Sequence, residues 1–143
     1  MYTVKHPLIE FTRSFEDFRA VPTPNARGVM FVGYGHHVGK GEIFTALTDL
    51  SARHLLEMDL VKISEEVQKM VKVPLTQGQH DALTDLAFSV GPGVFKYSRV
   101  LENLNLGEYK RAANQFGYLV YDGKDRSARL IRRRTAEKSL FNS

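Results

Sequence analysis

Apolar residues recur at helical intervals along most of this chain, and one stretch near the start breaks the rhythm. Leu8, Phe11, Phe15 and Phe18 fall three or four apart behind Pro7, a residue suited to a first helical turn, and they predict a helix from about residue 7 to 18 with Glu16 near its end. Val21-Pro-Thr-Pro-Asn-Ala-Arg-Gly28 then forbids helix, and Val29-Met-Phe-Val32 is a β-branched and aromatic run that reads as strand. Gly33, Gly35, Gly39 and Gly41 require repeated turning and leave room for a second short strand or a loop.

Helical spacing returns at about Thr48. Leu55, Met58 and Val61, with Val67 and Val71 beyond, predict the longest helix, ended by Pro74. Thr76-Gln-Gly-Gln79 has the form of a capping box, and Leu83, Leu86, Ala87 and Val90 form a stripe that stops at Gly91 and belongs at the centre of a core. Shorter helices are expected at about 98–105 and 108–120, the second turning Tyr109, Ala112, Ala113 and Phe116 inward, and a last one at about 130–141. The fold class is therefore α+β and mainly α: an N-terminal helix, a small β-rich lobe at about 20–47, then a helical lobe. With no repeats or long linkers, residues 1–143 are expected to form one domain, and a cleft between lobes is the natural place for a site.

Composition removes several functions. There is no cysteine among the 143 residues, which excludes disulfides, thiolate metal sites and a cysteine nucleophile, so stability must come from packing. His36 and His37 are adjacent, and His6, His54 and His80 lie in unrelated segments, so no metal cluster or other cofactor site is expected. Gly33-Tyr-Gly35 opens no helix and cradles no phosphate. No run approaches a membrane span and the first residues lack a signal peptide's apolar core, so the expectation is cytoplasmic synthesis without stable membrane insertion.

The net charge of +4 is concentrated late, since residues 96–143 carry eleven Lys/Arg against five Asp/Glu. Such a surface suits polyanions, and Arg129, Arg132, Arg133 and Arg134 form its densest run. A nucleic-acid partner is not expected, because Arg129 to Lys138 contains no aromatic residue for stacking.

One family resemblance ties these features together. Glu16, the closing motif Gly33-Tyr34-Gly35-His36, and the blocks Val73–Leu83, Ala87–Gly91, Leu104–Tyr109 and Arg132–Phe141 are similar, in order and interval, to blocks of the phage-type lysozymes, the endolysins that cut bacterial peptidoglycan. The resemblance covers nearly the whole chain. It implies a lysozyme-like fold, cleavage of the MurNAc–GlcNAc bond with Glu16 as general acid, and a structural ion pair between His36 and Asp59. It also implies glycan contacts from Tyr34, His37, Phe88, Ser89 and Arg132, a monomer acting on peptidoglycan strands, and action on the periplasmic wall after release by another protein.

The resemblance also exposes two departures. Where the family has an Asp that activates water and a Thr that holds it, this chain has Asn25 and Phe31. An amide cannot take a proton at neutral pH, and a lost general base costs on the order of a hundredfold to ten-thousandfold. Three readings stay open: a muramidase in which Asp17, His37 or Glu42 supplies the missing function, a lytic transglycosylase that needs no water, and a catalytically inactive relative that binds peptidoglycan or a partner.

Overall fold

A computed structural model describes residues 2–143. The first helix, α1 (His6–Arg13), is shorter than its apolar stripe suggests. Ser14 turns its hydroxyl back onto the Phe11 carbonyl, and the amides of Phe15 and Glu16 bond to carbonyls three residues behind, so the chain tightens and leaves the helix. Phe11 and Phe15 still meet edge to face at 5.3 Å, which explains why their spacing looks helical. Phe18 instead opens a strand.

That strand, β1 (Phe18–Pro24), contains both prolines of a segment whose sequence reads as a turn-rich connection. It is tolerated because β1 is an edge of the antiparallel sheet β1-β2-β3, formed with β2 (Met30–Tyr34) and β3 (His36–His37). Arg19 pairs with Gly33 and Thr23 with Phe31, so three residues, Ala20 to Pro22, face the single residue Val32 across a bulge. Gly33 is required by its backbone, whose φ of +65° lies in the left-handed region that side chains disfavour.

The longest helix, α2 (Asp49–Met70), runs where expected but with a different face inward. Ala52, Leu56, Leu60, Ser64 and Val67 are buried, whereas Met58 is 49% and Val61 39% exposed. The inward row includes an alanine and a serine, which a search for large apolar residues passes over.

After α2 come α3 (Gln77–Val90), α4 (Pro92–Lys96), α5 (Arg99–Asn105), α6 (Tyr109–Gln115), a 3-10 turn (Phe116–Tyr118), the hairpin β4 (Tyr121–Asp122) and β5 (Asp125–Arg126), and α7 (Ala128–Phe141). Thr76 caps α3 through the reciprocal bonds of a capping box with Gln79, as its sequence predicts. Ala82, Leu83, Leu86 and Ala87 place α3 in a core completed by Phe95, Leu104, Phe116 and Phe141. Helix α4 begins at Pro92, where the sequence reads only as a stop, and β4–β5 has no counterpart in the sequence reading.

Among the described residues the backbone divides into two compact units, one of residues 4–61 and the other of residues 2–3 and 62–143. Among the described residues no helix is long and apolar enough to cross a membrane.

Candidate functional site

Residues 4–61 hold Glu16, Asn25, Phe31, Tyr34, His36, His37 and Asp59, while Phe88, Ser89 and Arg132 belong to the other unit. Glu16 lies half-buried in the bend between α1 and β1, three residues beyond the last residue of α1, with its amide bonded to the Arg13 carbonyl at 3.1 Å. A charged helix connects to it indirectly. Arg13 donates to Glu10 at 2.7 Å and lies over the Tyr34 ring, Arg53 pairs with Glu10 and, at 2.8 Å, with Asp49, and Asp49 accepts the Tyr34 hydroxyl. This closed circuit fixes the last turn of α1, and so the bend that follows, against β2 and the start of α2.

Tyr34, expected to face the glycan, is instead 7% exposed, with its ring against Phe18 and its hydroxyl given to Asp49. Burial and the neighbouring Asp49 carboxylate, outweighing Arg13, raise its phenol above the ordinary value. The sequence signals for the circuit were partial. Glu10 and Arg13, and Asp49 and Arg53, stand at helical i,i+3 and i,i+4 spacing, but the link from Arg53 to Glu10 spans 43 residues.

Asn25 begins the turn between β1 and β2. Its side-chain oxygen accepts the amides of Arg27 at 2.9 Å and Val29 at 3.0 Å, and its own amide donates to the Val29 carbonyl. Both lone pairs of that oxygen are thereby used, which removes the water-orienting role that an Asn at this position could otherwise take.

Phe31 sits on β2 directly opposite His37 of β3, and the two rings meet at 5.5 Å, tilted by 36°. The two adjacent histidines have different fates because successive strand residues point to opposite faces. His36 Nδ1 lies 2.8 Å from Asp59, and its Nε2 lies 3.0 Å from Glu42. Burial pulls its pKa down, but the hydrogen bonds and charges of Asp59 and Glu42 outweigh that pull and hold the imidazole above its ordinary value. Glu42 also accepts the Gly39 amide. His37 is exposed, and neither of its ring nitrogens has a hydrogen-bond partner among the described residues.

In the other unit, Phe88 and Ser89 end α3, both half-buried. Ser89 accepts a 2.6 Å hydrogen bond from Arg134, and Arg132 is exposed on α7. The arginine run is not one solvated face. Arg133 and Arg134 are 5% and 1% exposed: Arg133 forms a two-pronged pair with Asp85 at 2.9 Å, and Arg134 holds Glu137 at 2.7 Å and the Leu119 carbonyl at 2.8 Å. Burial and a hydrogen bond to Asp85 push the Glu137 carboxyl well above the usual carboxylate range, against the pull of Arg134. Only Arg129 and Arg132 of the four remain at the surface.

A second buried chain runs from Ser64 through His80 to Asp81, with contacts of 2.7 and 2.8 Å. The Tyr2 ring stacks on this imidazole at 5.1 Å, and Ser64 and His80 are sealed from solvent, so the chain joins α2 to α3 and admits no substrate.

Residues 13–137 match the family model described as phage lysozyme. The endolysin of Salmonella phage P22 is 38% identical over 136 residues, covering 94% of this chain and 88% of that protein. The endolysin of Bacillus phage B103 is 35% identical over 93% of this chain but only 51% of its own length, and the chain likewise spans about half of the related endolysin from Bacillus phage PZA. Among solved structures, the muramidase domain of SpmX from Asticaccaulis excentricus superposes with a TM-score of 0.89 at 34% identity, covering 100% of this chain and 99% of that one. A mutant P22 lysozyme gives 0.84 at 32% identity with full coverage of both chains.

Proposed function

This chain belongs to the phage lysozyme family, and from that premise we propose that it cleaves the MurNAc–GlcNAc bond of peptidoglycan with Glu16 as the general acid. The observation that carries the reading is the placement of Glu16. It stands in a half-buried bend held by the Arg13–Glu10–Arg53–Asp49–Tyr34 circuit, inside the matched span and where the motif resemblance implies the family's acid. A carboxylic acid so placed can deliver a proton to the glycosidic oxygen as the C–O bond breaks.

Phe88, Ser89 and Arg132 are proposed as further glycan contacts, with Ser89 oriented by Arg134. His36 and Asp59 have the structural role, joining the sheet to α2. The protein is proposed to work as a single-domain monomer on glycan strands, without nucleic acid, on the periplasmic side of the wall after release from the cytoplasm where it is made.

The test is digestion of purified peptidoglycan with mass spectrometry of the soluble fragments. Fragments with reducing ends are expected from the parent protein and at least a hundredfold less from Glu16→Gln. Equal release from Glu16→Gln would remove Glu16 from the mechanism, fragments one water lighter would make the reaction a transglycosylation, and retention on the polymer without fragments would leave only a binding protein.

A further inference from the structure

Hydrolysis of a glycosidic bond by direct attack of water needs a proton acceptor as well as an acid, and where the resemblance implies the two residues that serve the water this chain has Asn25 and Phe31. The structure narrows the possible substitutes. The Asn25 oxygen is saturated by the amides of Arg27 and Val29. Glu42 is engaged by His36 and by the Gly39 amide. Asp17 adjoins Glu16 in the same bend and stands outside the strand pair that carries Phe31.

His37 has several of the features that the role requires. It is directly registered with Phe31 across β2 and β3, its ring packs on the Phe31 ring at 5.5 Å, it is exposed, and neither nitrogen is bonded among the described residues. The neighbouring imidazole of His36, by contrast, is held by carboxylates at both nitrogens. Building on the muramidase reading above, we infer that His37 is a catalytic residue, the proton acceptor that replaces the family's Asp, and that Phe31 is the platform that orients its ring.

The step balances without a further reactant. The oxygen of a water molecule forms a bond to the anomeric carbon of the muramic acid residue while one of its protons passes to His37. The bond from that carbon to the glycosidic oxygen breaks, and the Glu16 proton goes to the departing oxygen. The imidazolium then returns its proton to solvent and the Glu16 carboxylate takes one up. Attack by water from the far face inverts the anomeric centre, whereas attack by the imidazole itself would form a covalent intermediate and end in retention.

The experiment measures reducing-end release from purified peptidoglycan, with NMR of the first-formed anomer. His37→Ala is expected to lose on the order of a hundredfold or more in rate, to keep the parent's melting temperature because the side chain is exposed, and to regain at least tenfold when free imidazole is added. The first product is expected to be inverted. Phe31→Leu, which keeps the site apolar but removes the ring, is expected to lower kcat more than it changes KM.

An unchanged rate in His37→Ala, failure of imidazole to restore it, retained configuration, or products one water lighter would each overturn the assignment. If Glu16→Gln stops release and His37→Ala does not, His37 loses its role and the muramidase reading stands. If the parent releases nothing, that reading falls and takes the role of His37 with it.

Discussion

Asn25 accepts two backbone amides in the turn between β1 and β2, and an aspartate could accept the same two. The amide therefore preserves the turn while removing the charge. Asn25→Asp is expected to leave the denaturation midpoint nearly unchanged, and Asn25→Ala to cost about 1–3 kcal/mol because two amides lose their acceptor, with urea titration as the check. His36 offers a second residue-scale outcome. Its folded pKa lies above its ordinary value, so its contribution to stability is complete below about pH 6.5 and is lost as pH rises through the raised value. Melting temperature followed from mildly acidic to mildly alkaline pH should fall across that window, and His36→Gln should flatten the fall. Asp59→Asn should matter more than Glu42→Gln, since Glu42 is the more exposed partner and the more screened by solvent.

At the scale of elements, α2 tests how a helix chooses its buried face. Leu60→Ala is expected to cost about 2–5 kcal/mol as a fully buried position, and Met58→Ala under about 1 kcal/mol as a half-exposed one; equal losses in chemical denaturation would contradict the observed phase. The join of α7 to α3 is ionic as well as apolar. Arg134→Ala removes the closest charge partner of the buried Glu137 carboxyl and is expected to cost about 3–5 kcal/mol. Glu137→Gln resembles the protonated form that burial already favours and should cost clearly less, a ranking that equilibrium denaturation of the two variants can check.

For the whole molecule, two compact units share one helix, with α2 giving residues 49–61 to one and 62–70 to the other. Helix formation is cooperative, so the two stretches of α2 favour one another. Thermal unfolding followed by far-ultraviolet and near-ultraviolet circular dichroism is expected to give one coincident transition, and separate transitions would mean the units are independently stable. The late concentration of positive charge is also smaller at the surface than in the sequence, since Arg133 and Arg134 are spent on Asp85 and Glu137.

Local pattern alone determined much of this protein. The capping box at Thr76, the apolar stripe of α3, the inward residues of α6 and the strand after Gly28 follow from interactions within a few residues, which sequence spacing records directly. Tertiary structure decided what depended on partners far along the chain. The prolines of β1 fit because that strand lies at a sheet edge, Phe18 left the helix to pair with Tyr34, and two arginines of an apparently solvated run were drawn inside by Asp85 and Glu137. Register against Phe31 separated the two adjacent histidines, giving His36 to Asp59 and Glu42 and leaving the His37 ring at the surface. The physical reason is common to all four: pairing across strands and burial of charge are set by neighbours in space, and the chain's own periodicity carries no record of them.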